Sequence, residues 1–124
     1  MKFKIKIAGK ATVVSISEDI TSMYDSKDLI AAVEENLNVD NRNIILDLAE
    51  VNYINSAGIN VLLTVLTSVR NKEGELVLAS ISEKVKSLLV ITKLNSIFTV
   101  KNSVEESLQF INELESLIDQ QETK

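Results

Sequence analysis

The chain contains no histidine, cysteine, proline or tryptophan, and only three glycines in 124 residues. Without cysteine there is no disulfide framework and no thiolate chemistry. Without histidine or cysteine there is neither a Ser-His or Cys-His nucleophile pair nor the usual zinc site. Carboxylates are left as the ordinary general acids and bases, and burial would have to raise their pKa values for work near neutral pH. Aromatic residues make up 4% of the chain and the formal net charge is −5, which argues against a surface for nucleic acid. No apolar run approaches the ~18 residues of a membrane span, so membrane insertion is not expected. The first seven residues alternate lysine with apolar side chains from Lys2 to Ile7, reading as a strand and not a signal peptide. With 45% apolar and 25% charged residues, the composition is that of a soluble, cytoplasmic globular domain.

The hydrophobic pattern changes period along the chain. Phe3 to Ala8 and Thr12 to Ile16 read as two strands joined at Gly9-Lys10, a hairpin. Leu29, Ile30, Val33 and Leu37 form one helical face, with Asp25 or Ser22 as its cap. Ile44 to Leu48 is an unbroken apolar run apart from Asp47, a buried strand. Ile59, Leu62, Leu63, Leu66 and Val69 follow at helical spacing, and Gly74 fits that helix's end. Glu75 to Ala79 reads as a further strand, Val85 to Leu94 as a helix capped by Ser82, and Ile97 to Val100 as a short strand. Ser103-Val104-Glu105-Glu106 has the spacing of a capping box and opens a last helix. Its inward face is expected at Val104, Leu108, Ile111, Leu114 and Ile118. These elements predict a single α/β domain over residues 1–119, with a polar tail at 120–124. It has a mixed sheet with an N-terminal antiparallel hairpin and about four helices packed against it.

The join between the third strand and its helix, Asn55-Ser56-Ala57-Gly58, is the candidate functional segment. A serine there lies beside unpaired backbone N–H groups and the positive end of the helix dipole, where a phosphate is tolerated. The plainer alternative is that Ser56 only caps the helix. A glycine in the first turn weakens a helix, so Gly58 points to close approach by another backbone. No Gly-Lys-Ser/Thr loop and no Gly-x-Ser-x-Gly turn is present, so Ser56 is better read as a target of chemistry than as its agent. Asp47 is read as a carboxylate bonded to loop N–H groups or facing solvent. Glu34-Glu35, Glu105-Glu106 and Glu113/Glu115 are read as solvated helix faces. The loop Glu18-Asp19-Ile20-Thr21-Ser22 is placed on the same sheet edge as Ser56, as a surface for a partner. No metal site and no cofactor is predicted.

Asn43 to Leu48, Val51, Ile54, Asn55 to Gly58 and Val61 to Leu63 together resemble the core of a STAS domain, and more narrowly the bacterial anti-sigma factor antagonists. Gly74 to Leu78, Val85, Leu88-Leu89, Leu94 and Ile97-Phe98 continue the resemblance, which spans roughly Phe3 to Leu117. It implies a non-enzymatic regulatory module, a monomer or weak dimer. The unmodified antagonist binds an anti-sigma factor that is also a serine kinase, and a sigma factor is released for transcription. The kinase phosphorylates the motif serine, matching Ser56, and binding is lost until a serine phosphatase restores it. The partner surface implied comprises Asn55, Ser56, Ala57, Gly58 and Asn60, with Ser22 and the Asp19 loop. The chain departs from the family pattern at Asn55, where an aspartate is usual, and in the 18–22 loop, which lacks the usual glycine. The runner-up is a STAS scaffold subunit of a stress-sensing complex or lipid transporter, without a phosphorylation switch.

Overall fold

The structure, a computed structural model, describes residues 1–122. Strands β1 (Phe3–Ala8), β2 (Ala11–Ile16), β3 (Asn43–Asp47), β4 (Leu76–Ala79) and β5 (Thr99–Lys101) form one sheet, in sequence order. β1 and β2 are antiparallel across the Gly9-Lys10 turn, and every later neighbour is parallel. Parallel neighbours need crossovers, supplied by α1 (Lys27–Asn36), α2 (Ser56–Asn71) and α3 (Glu83–Ile91). A fourth helix, α4 (Val104–Glu122), follows β5. The expected α/β architecture, with its hairpin and four helices, is the one observed.

Strand periodicity divides the core in two. Val14, Ile16, Ile44, Leu46, Leu76 and Leu78 turn to one face, where they pack with side chains of α1, α2 and α3. Ala11, Val13, Ile45, Val77 and Ala79 turn to the other and meet Ile111 of α4. β3 and β4 are covered on both faces, which is why their sequences show little polar alternation. α2 lies against the sheet centre, and Leu62 and Leu66 are buried in it as expected.

Several boundaries differ from the sequence reading. α1 begins at Lys27, after a turn that buries Ser26, whose hydroxyl donates to the Ser22 carbonyl at 2.7 Å and caps nothing. β5 begins at Thr99, because Leu94 to Phe98 turn back on α3 and bury Phe98. Ser82 caps α3 through the Val85 N–H. At α4 the Glu106 N–H donates to the Ser103 hydroxyl at 3.1 Å, while the Glu106 carboxylate accepts from Asn102, one residue before the expected partner. On the inward face of α4, Ile111 is buried and Val104, Leu108, Leu114 and Ile118 are half-buried. The fully buried Ser107 was not expected there. α4 continues through residues 120–122, and the remainder of the expected tail, 123–124, lies outside the described residues.

A polar clamp ties α4 to the amino edge of the sheet. The amide of Asn43, itself 4% exposed, donates to the Lys10 carbonyl and to Glu115 at 2.8 Å, and its oxygen accepts from the Glu75 N–H. Arg42 pairs with the same carboxylate at 3.3 Å. The Asn43 hydrogen bond and the Arg42 guanidinium hold the Glu115 carboxyl below its ordinary pKa, against the opposing effect of burial. The α2–β4 turn closes beside this clamp. There Glu73, not Gly74, takes the left-handed backbone (φ 59°), and Gly74 is needed because a Cβ would lie 1.8 Å from the Arg42 carbonyl oxygen.

Leu62 is fully buried between helix and sheet. Leu62→Ala should therefore cost about 2–5 kcal/mol in transfer and cavity terms, read from a urea or guanidinium melt. An unchanged midpoint would contradict the packing of α2.

Candidate functional site

All four parallel strands end on one edge of the sheet, the usual location of sites in open α/β sheets. Two of the loops there are welded together. The loop after β2 is anchored by the buried Ile20 and the loop after β3 by Val51 and Ile54. Ile20 and Ile54 form a parallel bridge, and the Ile20 N–H donates to the Tyr53 carbonyl at 3.2 Å. One carboxylate oxygen of Asp19 accepts from the N–H groups of Asn52 and Tyr53, at 3.0 and 3.1 Å. Asp19 is exposed, yet its charge is engaged in holding the second loop in place.

Asn55 completes the weld. Its backbone is extended, and its side-chain oxygen accepts from the Gly58 N–H at 2.9 Å, making it the N-cap of α2. Its side-chain nitrogen donates to the Thr21 carbonyl at 3.1 Å, in the other loop. An amide can do both, because it carries an acceptor and a donor, whereas an ionised carboxylate only accepts. An aspartate in that place could keep the cap but not the donor bond to Thr21.

The capping alternative for Ser56 is thereby corrected: Asn55 takes the cap, and Ser56 is the first helical residue. Ser56 is exposed, and among the described residues its hydroxyl has no hydrogen-bond partner. The first backbone bond of α2 runs from the Ile59 N–H to the Asn55 carbonyl, so the Ser56 and Ala57 amides precede the helical ladder. Asn60 is exposed one turn further on, and Ala57 is half-buried. Ser22 is half-buried, and its hydroxyl accepts from the Asp25 N–H in the turn leading to α1. Asn55, Ser56 and Asp19 thus share one continuous loop surface, which Ser22 borders through its neighbour Thr21.

Of the other carboxylates, Glu35, Glu105 and Glu113 lie exposed on helix faces as expected, and several more are bonded within the fold. Asp47 accepts from the Ser15 hydroxyl and the Ala49 N–H, both at 3.2 Å, as its loop-bonded reading anticipates. Glu34 accepts from Ser68, Glu106 serves the α4 cap, and Glu115 belongs to the clamp. Among the described residues no group of three or more His, Cys, Asp or Glu is placed to hold a metal ion. Sequence reasoning missed the groove of about 390 Å³ between the Asn52–Ile54 loop and α3, lined in part by Tyr53, Lys84, Leu88 and Ile91. Ile91 is 77% exposed. The adjacent apolar pair Val90-Ile91, beyond one helical stripe, was the available signal.

Gly58 lies at the closest point of the weld. A Cβ there would stand 2.0 Å from the Ile20 carbonyl oxygen and 2.5 Å from the Ile54 side chain. Alanine gains about 1 kcal/mol of helix propensity over glycine, but overpacking against backbone typically costs about 1–3 kcal/mol and at times more. Gly58→Ala should lower the melting temperature and accelerate amide exchange at positions 20 and 58. A stabilised variant would mean that the two loops are not in contact.

Residues 2–107 match the STAS domain family. The Bordetella bronchiseptica protein BtrV, provisionally named an anti-sigma factor antagonist, is 32% identical over 92 residues, covering 74% of this chain and 79% of BtrV. An anti-sigma-B factor antagonist of Listeria monocytogenes is 39% identical over 57 residues, covering 46% of this chain and 50% of that protein. A Thermotoga maritima structure provisionally named an anti-sigma factor antagonist superposes with a TM-score of 0.79 at 24% identity, covering 89% of this chain and 94% of that one. A sulfate transporter family protein from Wolinella succinogenes superposes with a TM-score of 0.76 at 16% identity, covering 90% and 93%. At those identities the two superpositions establish the shared fold.

Proposed function

The chain belongs to the STAS domain family, and on that premise we propose that it is an anti-sigma factor antagonist switched by phosphorylation of Ser56. The unmodified protein binds an anti-sigma factor that is also a serine kinase, releasing a sigma factor. Kinase transfer of the ATP γ-phosphoryl group to Ser56 Oγ ends the binding, and a serine phosphatase restores it by hydrolysis. The single observation that carries this reading is the free Ser56 hydroxyl. It is exposed at the first position of α2, with Asn55 doing the capping that would otherwise occupy it. The names of the Bordetella and Listeria relatives support the role.

The electrostatics of the position suit a switch. Phosphoserine adds about −1.5 to −2 charge near pH 7. At a helix N-terminus the dipole and the free amides ease that charge for the isolated domain. Inside a packed contact the same charge must be desolvated or repelled, so the modification weakens a complex without unfolding the antagonist. The contact surface proposed is Asn55, Ser56, Ala57 and Asn60, bordered by Ser22 and the Asp19 loop; Gly58, expected in it, is instead buried beneath it against Ile20. The described residues include no helix long and apolar enough to cross a membrane.

Binding to the cognate anti-sigma factor kinase tests the switch. Ser56→Ala should bind as the unmodified protein does, since it removes no cap. Ser56→Glu or enzymatically phosphorylated protein should bind at least tenfold more weakly, a difference of about 1.4 kcal/mol. Equal affinity of the phosphorylated and unmodified forms would favour the static scaffold reading instead.

The phosphate also reports on residue 55. Asn55→Asp retains a good cap but sets a carboxylate beside the phosphoserine, where partly screened repulsion is on the order of 1 kcal/mol. Repulsion disfavours the dianion, so the phosphate's second pKa should rise by a few tenths to about one unit in the aspartate variant. Phosphorus NMR titration of the two phosphoproteins measures the difference, and a fall would show that the charges do not face each other.

A further inference from the structure

The outer edge of β1 lies outside the loop surface. β1 pairs with β2 on one side, and among the described residues nothing pairs with the other. Ala8 faces Ala11 across the two-residue turn, and the Lys2 carbonyl accepts from the Ser17 N–H at 3.0 Å. In an antiparallel strand the N–H and C=O of one residue point to the same side, and the side alternates along the chain. Lys4, Lys6 and Ala8 therefore bond inward to β2, and Lys2 bonds on the same side to Ser17 and the Glu18 carboxylate just beyond it. The backbone groups of Phe3, Ile5 and Ile7 are left facing the open edge.

The side chains alternate as well. Lys4 and Lys6 are exposed on the α4 face, in register with Ser15 and Val13. Ile5 and Ile7 lie on the opposite face, 38% and 65% exposed. Residues 1–10 hold four of the 13 basic residues and no acidic one, in a chain whose net charge is −5. Lysines on an edge strand commonly discourage pairing, and here they oppose a second copy. In an antiparallel pair of β1 strands centred on Ile5, Lys4 of each meets Lys6 of the other, and like charges directly opposite are destabilising. Repulsion does not account for Ile5 and Ile7, which an edge built only to repel would make polar.

We propose that the β1 edge binds an extended segment of a partner protein in which acidic and apolar residues alternate, added as a sixth strand. Such a segment satisfies the outward N–H and C=O groups, sets carboxylates against Lys4 and Lys6, and covers Ile5 and Ile7. Main-chain bonds supply affinity and the alternating side chains supply selectivity. This surface is independent of Ser56 and its modification.

Isotope-labelled full-length chain, titrated with a short synthetic peptide of strictly alternating valine and glutamate, tests the proposal by amide hydrogen exchange. The peptide should slow exchange at Ile5 and Ile7 by about tenfold or more, with Lys4 and Lys6 amides changed little because β2 already holds them. An alternating valine–lysine peptide should leave Ile5 and Ile7 unprotected. So should a block peptide of the same composition, with all its valines preceding all its glutamates. Combining Lys4→Glu with Lys6→Glu, both at exposed positions, should reverse the preference toward the lysine peptide. Ile7→Pro removes an outward N–H and no ladder bond, so it should keep the hairpin amides protected while weakening the peptide by at least about fivefold. Should Ile7→Pro unfold the hairpin, the charge reversal still decides. The proposal is overturned if the block peptide protects as well as the alternating one, or if peptide binds without protecting Ile5 and Ile7. It is also overturned if protection rises with protein concentration alone, which would make the occupant a second copy. Tighter binding to anionic lipid vesicles, without protection at these two amides, would equally overturn it.

Discussion

The contact between the first turn of α2 and the carbonyl of Ile20 is the constraint on which the carboxyl edge of the sheet depends. A side-chain carbon at position 58 would stand 2.0 Å from that oxygen. This absence of space brings the loop after β2 within reach of the loop after β3. The Ile20–Ile54 bridge, the Asp19 bonds to two backbone amides and the Asn55 bond to Thr21 then follow as a connected set. Without the close approach each would have to span a gap. At Asn55 one amide both starts the helix and joins the loops. The consequence for Ser56 is freedom: its hydroxyl is not consumed by the architecture that positions it.

The two edges of the sheet are organised for different ends. At the amino edge, Asn43 connects Lys10, Glu75 and Glu115, and Arg42 adds an ion pair, so these polar groups are paired with one another. A buried amide left unpaired would cost about 1–3 kcal/mol, and this network avoids that for Asn43. It also gives α4, whose apolar face is narrow, a polar hold on the sheet. At the carboxyl edge the polar groups of the loops are likewise largely bonded inward, but the Ser56 hydroxyl and the Asn60 side chain remain exposed. A rigid platform that presents a few free polar groups suits binding, because little conformational entropy is lost when a partner docks.

Much of this was legible in the chain. The change from short apolar, strand-like runs to apolar spacings of three and four at residues 16–29, 48–59 and 79–85 marked the elements, and the lysine-apolar alternation marked the hairpin. Gly58 stood out because glycine in a first helical turn needs a reason, and the reason proved to be backbone contact. Reading Asn55 was harder. Asn and Ser are both good caps, and adjacent candidates cannot be separated by preference alone. The spacing to Gly58 fits Asn55, but only the tertiary fold shows that its nitrogen has a second partner at Thr21.

What the sequence determined by itself was periodicity, composition and local chemistry: which segments bury a stripe or a face, which reactions lack their residues, and that a serine opens a helix after a buried strand. These are properties of residues near one another in the chain, and local sterics and solvation decide them. The tertiary structure alone decided which serine-adjacent side chain caps, that Asp19 supports a loop 33 residues away, and that Glu115 belongs to a clamp instead of a solvated face. Hydrogen bonds of that kind depend on angles and distances set by the packing of the whole sheet, and a buried polar group takes whichever partner the packing brings within about 3 Å.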